Sequence, residues 1–298
     1  MSENDHWTPP KLVRWISEQF QNHQLAPPHR LEAELLVSHA LGISRADIYL
    51  QHDQPCQEHE LAEVCELYNR RINREPLAYI TGSCGFWTLR LSVGQGVLIP
   101  RQDTELIVDA ALEIIPDQPR EVPYTILELG TGSAIIPLAL ATERQYLDIT
   151  TVEVSPEAIH YARINIEHYN DQITSLQNKI HLLQGDRFEA IHSVSCFDLI
   201  ISNPPYIPEL DIDSLAPEVK HWEPCKALSG GENGLEFYDY LKQASIRLLK
   251  PGAVLLFEHG YDQLRALSEL FAQTKDLKLE ATIQDLNQKD RVMKFSKI

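Results

Sequence analysis

The chain has 298 residues, 43% hydrophobic and 23% charged, ordinary values for a globular protein of about two domains. Its net charge is −17, from 26 basic and 43 acidic residues, which argues against duplex nucleic acid as the main partner, because a DNA-binding surface shows a basic footprint. No apolar run approaches the ~18 residues of a membrane span, the polar start Met1–Asp5 is no signal peptide, and five cysteines without a Cys-x-x-Cys pair and twelve histidines without metal-ligand spacing lead us to expect a cytoplasmic protein with free thiols and no metal.

Residues 1 to about 82 read as a small helical bundle. Pro9 to His23 carries Leu12, Trp15, Ile16 and Phe20 at helical spacing. Pro27-Pro28 punctuates, and Leu31, Leu35, Leu36 and His39 then share a face up to Gly42, a C-terminal stop. Ser44-Arg45-Ala46-Asp47 has the form of a capping box before a short helix to Leu50. Glu58 to Arg74 repeats Leu61, Val64, Cys65 and Leu67-Tyr68 on one side. Glu75 to Gly82 reads as a connector. Phe86 to Val93 alternates, and Gly94-Gln95-Gly96 is a turn before Val97-Leu98-Ile99, which predicts a β-hairpin. Pro100 to Glu105 leads into an amphipathic helix to about Ile115, with Asp103 as its expected N-cap.

After a polar linker, Pro116 to Pro123, the rhythm changes and strands alternate with helices. Strands are predicted at Tyr124–Leu129, Asp148–Val154, Ile180–Leu183, Phe197–Ser202 and Ala253–Glu258, with two closing strands at Leu277–Gln284 and Arg291–Ser296. Helices are predicted near Ala134–Thr142, Pro156–His168, Leu235–Leu249 and Gln263–Gln273. Such alternation means a mainly parallel sheet covered on both faces. Pro208 to Gly231 is a long stretch of weak periodicity, the pattern of a lid or binding loop; Trp222, Glu218 and Glu223 are candidates to hold a substrate loop there, if the stretch is not simply solvated.

Two constellations carry chemistry. Ile126 to Ala134 is a strand, a glycine-rich turn (Gly130, Thr131, Gly132, Ser133, Ala134) and a helix start. Glycines let the backbone pass close to a ligand, and the helix start supplies free N–H groups. Glu153, 23 residues after Gly130, stands where an acid at the end of the second strand takes ribose hydroxyls. A pyrophosphate cofactor favours a third small residue, but that position is Ile135. The acids Glu128, Glu153 and Asp186 repel phosphate and suit a cationic adenosyl-sulfonium, so S-adenosylmethionine fits better than NAD. Gly185-Asp186-Arg187 follows the third strand, where Asp186 or its neighbour could meet an adenine or merely cap a helix.

The second constellation is Asn203-Pro204-Pro205-Tyr206, ending the apolar strand Leu199–Ile201. Two prolines cannot continue a ladder, so an amide, two carbonyls and an aromatic ring gather at the strand's C-terminal edge, where ligands bind in open α/β sheets. The Asn203 oxygen and the Pro204 carbonyl can each accept an N–H of a planar amino group, and Tyr206 can pack on it. That is positioning with preorganised dipoles, and it suits alkylation of an amide or exocyclic amine. An Asn-capped turn is the plainer reading of the same tetrapeptide.

With these segments stand Glu75-Pro76-Leu77-Ala78-Tyr79-Ile80-Thr81-Gly82, Val97-Leu98-Ile99-Pro100-Arg101, Glu223-Pro224 with Ala227-Leu228, Gly230-Gly231-Glu232-Asn233-Gly234-Leu235, Gly260-Tyr261-Asp262 and Asp290-Arg291-Val292. Together they resemble the release-factor glutamine methyltransferases (PrmC/HemK family) over nearly the whole chain. The resemblance implies a Rossmann-like class I methyltransferase domain at 101–298, a β-hairpin linker at 83–100 and a helical bundle at 1–82 that binds the substrate protein. It implies methyl transfer from S-adenosylmethionine to N5 of the glutamine in the Gly-Gly-Gln motif of class I peptide chain release factors. Cofactor residues map onto Gly130 to Ala134, Glu153, Arg187 and Asn203, and the substrate motif onto Asn203 to Tyr206; a monomer that does not bind DNA is expected. The family pattern is broken at Gln102, at Ala134 (usually Gly), at Glu153 (usually Asp) and at Arg187 (often aromatic); a guanidinium can also stack on adenine. Three alternatives stand beside this reading: an N6-adenine or N4-cytosine nucleic-acid methyltransferase, a ribosomal-protein glutamine methyltransferase, and a binding module that has lost turnover.

Overall fold

The computed structural model describes residues 7–50, 53–117, 121–189, 191–192, 194 and 196–298. They form two compact units: one runs to Gly82 and adds Pro217–Trp222, and the other holds Ser83–Ala216 and Glu223–Ile298. Among the described residues no helix is long and apolar enough to cross a membrane.

The first unit is built from helices Pro9–Asn22, His29–Leu41, Asp47–Leu50, Glu58–Ile72 and Leu77–Thr81. Leu12, Ile16, Phe20, Leu36, Ile48, Val64 and Leu67 form its core. The Ser44–Asp47 box is present, with Asp47 N–H on the Ser44 hydroxyl and Ser44 N–H on the Asp47 carboxylate, each at 3.1 Å. On His29–Leu41 the buried stripe is Ala33, Leu36 and Val37, while Leu31 and Leu35 stay partly exposed. The two stripes sit side by side on the helical wheel, and the more continuous one packs inward. The expected connector contains the helix Leu77–Thr81, closed by Gly82 at φ +68°. Buried Arg71 pairs with Glu32 at 2.9 Å and Glu218 at 3.3 Å, and Arg74 reaches Glu218 at 3.2 Å. The Glu218 carboxylate is thus engaged within this unit.

The second unit opens with a hairpin of β1 (Ser83–Phe86) and β2 (Leu89–Ser92), with Phe86 opposite Leu89. The predicted hairpin is therefore corrected: the turn is Trp87-Thr88, inside the expected first strand. Trp87 takes φ +55°. Its backbone N–H reaches Glu105 and its indole N–H reaches Glu143, both at 2.8 Å, so tertiary bonds supply what glycine usually would. Asp103 is not an N-cap; it sits in the 3-10 turn Gln102–Thr104 before the helix Glu105–Leu112 and pairs with Arg291 at 2.8 Å.

The sheet consists of β3 (Tyr124–Leu129), β4 (Leu147–Glu153), β5 (Lys179–Gln184), β6 (Phe197–Ser202), β7 (Leu249–Glu258), β8 (Leu277–Gln284) and β9 (Asp290–Lys297). Their order is β5-β4-β3-β6-β7-β9-β8. β3 to β7 run parallel, and β9 is antiparallel to both β7 and β8. One apolar cluster, with Ile126, Leu138, Ile149 and Leu199, covers one face; another, with Leu127, Ile200, Tyr238 and Phe257, covers the other. The chain travels outward from β3 to β5 and returns to β6 on the far side of β3. That reversal opens a crevice beyond the C-terminal ends of β3 and β6, where a parallel sheet places its ligands.

Candidate active site

At the end of β3 the backbone turns through Gly130 (φ +80°), Gly132 (φ +56°) and Ala134 (φ +68°) into the helix Ile135–Glu143. A Cβ at Gly130 or Gly132 would meet nothing within 4 Å, so the space over the turn is open. Two carboxylates hold the turn from below. Glu128, 1% exposed, accepts the Thr131 hydroxyl and, at 2.5 Å, the Thr151 hydroxyl. Burial pushes its carboxyl up to about 7. Glu153 accepts Gly132 N–H on one oxygen and the N–H groups of Val154 and Ser155 on the other, all at 2.9 Å. A carboxylate has about four acceptor positions, so one remains for a hydroxyl. The Ser133 hydroxyl is buried, without a partner, on the wall of the pocket.

The neighbouring strand end is built from further away in the chain. Ser202 donates to Leu129 O at 2.7 Å and ties β6 to the end of β3. Asn203 follows, and its Nδ2 donates to Thr104 Oγ1 at 2.9 Å. The Pro204–Tyr206 loop is braced by the glycine segment. A Cβ on Gly230 would stand 2.7 Å from Pro205 O, and one on Gly234 2.3 Å from Tyr206 O. Gln263 Nε2 donates to Tyr206 O at 2.9 Å and Gly234 O at 3.1 Å, while its Oε1 accepts Gly260 N–H at 2.9 Å. Tyr206 and Glu258 make a long contact of 3.5 Å. Burial first, and then Glu258, push the Tyr206 phenol up to about 12, so it is neutral. Burial likewise pushes Glu258 up to about 7, against the Thr104 hydroxyl and Arg291, which hold it down. Glu223 grips Arg101 at 2.5 Å and Ile99 N–H at 3.1 Å, so this acid is bound within its own unit.

One pocket therefore brings Leu98, Thr104, Gly130, Gly132, Ser133 and Asn203 together. Glu153 joins through its bond to Gly132. Asp186 and Arg187 lie beyond β5, two strands out from β3. The Arg187 guanidinium sits 3.5 Å from the Tyr240 ring centroid and 3.6 Å from Asp186, so a flat face expected to meet adenine is stacked on the chain's own tyrosine. Thr104, Gln263 and Glu258 are the residues that sequence reasoning missed.

A family model described as the PrmC N-terminal domain matches residues 11–82, and one described as the methyltransferase small domain matches residues 108–218. The release factor glutamine methyltransferase of Geobacter sulfurreducens is 39% identical over 289 residues, which is 96% of this chain and 96% of that protein. The chain belongs to the release factor glutamine methyltransferase family. The Caulobacter vibrioides member is 37% identical over 263 residues, 88% of each chain. Among solved structures, a methyltransferase from Pyrococcus furiosus superposes with a TM-score of 0.50 at 20% identity, covering 80% of this chain and 98% of that one; this likeness speaks for the fold alone. Membership of the family makes the chain an S-adenosylmethionine-dependent methyltransferase with a Rossmann-like class I catalytic unit. The open turn, the spare acceptor on Glu153 and the unpartnered Ser133 hydroxyl fit that cofactor, and the Glu153 carboxylate favours a cation over a pyrophosphate.

Proposed function

We propose that the enzyme methylates N5 of the glutamine side chain in the Gly-Gly-Gln motif of class I peptide chain release factors. The observation that carries this reading is the Asn203 amide, fixed by Thr104 at the mouth of the pocket that holds the glycine turn. The turn Gly130–Ala134, the Ser133 hydroxyl and Glu153 hold the cofactor, which when bound supplies an electrophilic methyl group. The Asn203 and Pro204 carbonyl oxygens accept the two N–H bonds of the substrate amide, which orients a poorly nucleophilic nitrogen and returns electron density to it. Tyr206, a neutral phenol, packs its ring on the amide plane and takes no proton. The helical unit binds the release factor. The enzyme works as a cytoplasmic monomer and does not bind DNA, which the charge of −17 supports.

The test is transfer of label from methyl-labelled S-adenosylmethionine to a purified release factor, beside the same factor with the motif glutamine changed to alanine, and beside DNA. Label on the intact factor alone is the expected result. Label on DNA, or equal label on the altered factor, refutes the reading.

A further inference from the structure

The helix Pro156–His168 and its C-cap Tyr169 set one residue in four against the extended chain that leads from β2 towards the pocket. Tyr169 meets Arg90, Asn165 meets Ser92, Tyr161 meets Gly94 and Glu157 meets Gly96. Four residues of helix rise about 6 Å and two residues of strand about 6.6 Å, so the two run antiparallel and in register. The last two contacts are close backbone approaches: a Cβ on Gly94 would stand 2.0 Å from the Tyr161 hydroxyl, and one on Gly96 2.6 Å from Glu157 Cβ. The first two replace a missing strand. β2 pairs with β1 along one edge. On the other edge the Tyr169 hydroxyl accepts Arg90 N–H at 2.8 Å and donates to Arg90 O at 3.1 Å. The Asn165 carboxamide accepts Ser92 N–H at 2.7 Å and donates to Ser92 O at 3.0 Å.

Asn165 also does what Tyr169 does not. Its Nδ2 donates to Ser133 O at 3.0 Å. Two carbonyls on Nδ2 and one N–H on Oδ1 fit a single orientation of the carboxamide, and Asn165 is 1% exposed, so water does not replace these bonds. The Ser133–Ala134 peptide is thereby held at both ends, its oxygen by Asn165 and its N–H by Thr131 O at 2.9 Å. That peptide leads into the left-handed Ala134 and follows the buried, unpartnered Ser133 hydroxyl on the pocket wall. Ser92, bonded to the same side chain, starts the stretch that reaches Leu98, Pro100 and Arg101, which line the same pocket.

We infer that Asn165 is a positioning residue for the cofactor pocket: one buried carboxamide ties the glycine turn to the hairpin strand and so fixes two walls of the pocket relative to each other. The inference rests on the reading that the turn Gly130–Ala134 holds the cofactor, and it does not depend on the identity of the methyl acceptor.

Tyr169→Phe is the control, because Tyr169 holds the same strand edge without touching the turn. By calorimetry, Asn165→Ala is expected to raise the Kd for S-adenosylmethionine about tenfold, the order of one or two lost hydrogen bonds, and Tyr169→Phe to change it by less than about twofold, although both lower the urea midpoint. In cofactor-free enzyme, exchange of the Ala134 N–H is expected to speed up about fivefold in Asn165→Ala and to stay near wild type in Tyr169→Phe. A further measurement needs no variant. If the Asn165 bonds favour the turn that binds cofactor, bound cofactor favours those bonds in return. Saturating S-adenosylmethionine is therefore expected to slow exchange of the Asn165 side-chain N–H groups in wild-type enzyme about fivefold or more, and that of the Arg90 N–H by less than about twofold. An unchanged Kd in Asn165→Ala, equal Kd shifts in the two variants, or equal protection at Asn165 and Arg90 means that the helix only supports the hairpin, and overturns the inference. Wild-type cofactor affinity in Glu153→Gln refutes the reading that the turn holds the cofactor instead, and exchange at Ala134 then decides the role of Asn165 by itself.

Discussion

The turn after β3 and the loop after β6 stand side by side at one end of the sheet, and they are held by different means. The first is a backbone cradle. Its glycines face open space, and the carboxylates Glu128 and Glu153 secure it through hydroxyls and N–H groups within a few residues of the turn or on the next strand. The second is a rigid shelf. Two prolines fix its path, and it is packed so closely by Gly230 and Gly234 that neither tolerates a methyl group without movement. The cradle needs room for a whole cofactor, so its donors are spread along a backbone. The shelf needs to hold one nitrogen to within a fraction of an ångström, so it is built from short, locked groups. Variants should separate these two tasks.

The largest effect is expected at the shelf. Asn203→Ala removes a preorganised acceptor from the reacting nitrogen, and turnover should fall by roughly 100-fold or more. Cofactor affinity by calorimetry should change far less, because the cradle is intact. Near-normal turnover would remove Asn203 from the chemistry, and an equal loss in affinity would mean that the two regions are not separate. Gly234→Ala comes next. Its Cβ would stand 2.3 Å from Tyr206 O, at φ +73°. Overpacking of this kind costs about 1–3 kcal/mol, and the shift of Tyr206 should cut kcat about tenfold. An enzyme with wild-type kcat would show that the loop after Tyr206 can relax without cost to the shelf.

The two regions also differed in how far they could be read from the chain. The cradle is nearly continuous: strand, Gly130-Thr131-Gly132 and helix follow one another, and Glu153 lies one crossover on. The tetrapeptide Asn203–Tyr206 was visible too, but its supports were not. Thr104 is 99 residues from Asn203, and Gln263 is 57 from Tyr206. A buried threonine in a 3-10 turn and a glutamine before a helix carry no local sign of such a task. The hairpin is there, but its turn was placed too late in the chain, for a related reason. The alternation of Leu89, Leu91 and Val93 was real, but the expected strand ran across a two-residue turn whose left-handed residue is tryptophan, held by Glu105 and Glu143. The sheet itself was legible because buried parallel strands are apolar runs separated by amphipathic helices. What distance in the chain concealed was the set of struts.

The carboxyls at the base of the two regions sharpen the comparison. Burial raises both Glu128 and Glu258 to about 7. A carboxyl raised in the folded state binds its proton more tightly there than in the unfolded chain. Its contribution is therefore fully present below about pH 4.5, and it is lost as pH rises through about 7. Other carboxylates with lowered values, such as Asp198 beside Lys250, act in the opposite sense, so the wild-type curve mixes both. Glu128→Gln isolates one carboxyl. Relative to wild type it should gain about 1–3 kcal/mol of stability between pH 5 and pH 8, measured from urea midpoints. A difference that does not change with pH would place the Glu128 carboxyl in water.

The smallest effect concerns the residue that joins the cradle to its helix. Ala134 is buried and held at φ +68° as the cap of Ile135–Glu143. Its methyl group is buried in the core, but the left-handed conformation itself costs an L-residue about 1–2 kcal/mol. The conformation is imposed from both sides: Ala134 N–H bonds Thr131 O at 2.9 Å, and Leu138 N–H bonds Ala134 O at 3.1 Å. Relaxing φ would break the turn or unwind the first helical turn. Ala134→Gly removes the side-chain penalty and keeps both bonds, at the cost of a more flexible unfolded chain. The balance is an expected gain of roughly 1 kcal/mol in folding free energy, read as a higher urea midpoint at constant slope. A lower midpoint would mean that packing around the buried methyl outweighs the backbone strain, and that the cradle gains from its departure from glycine.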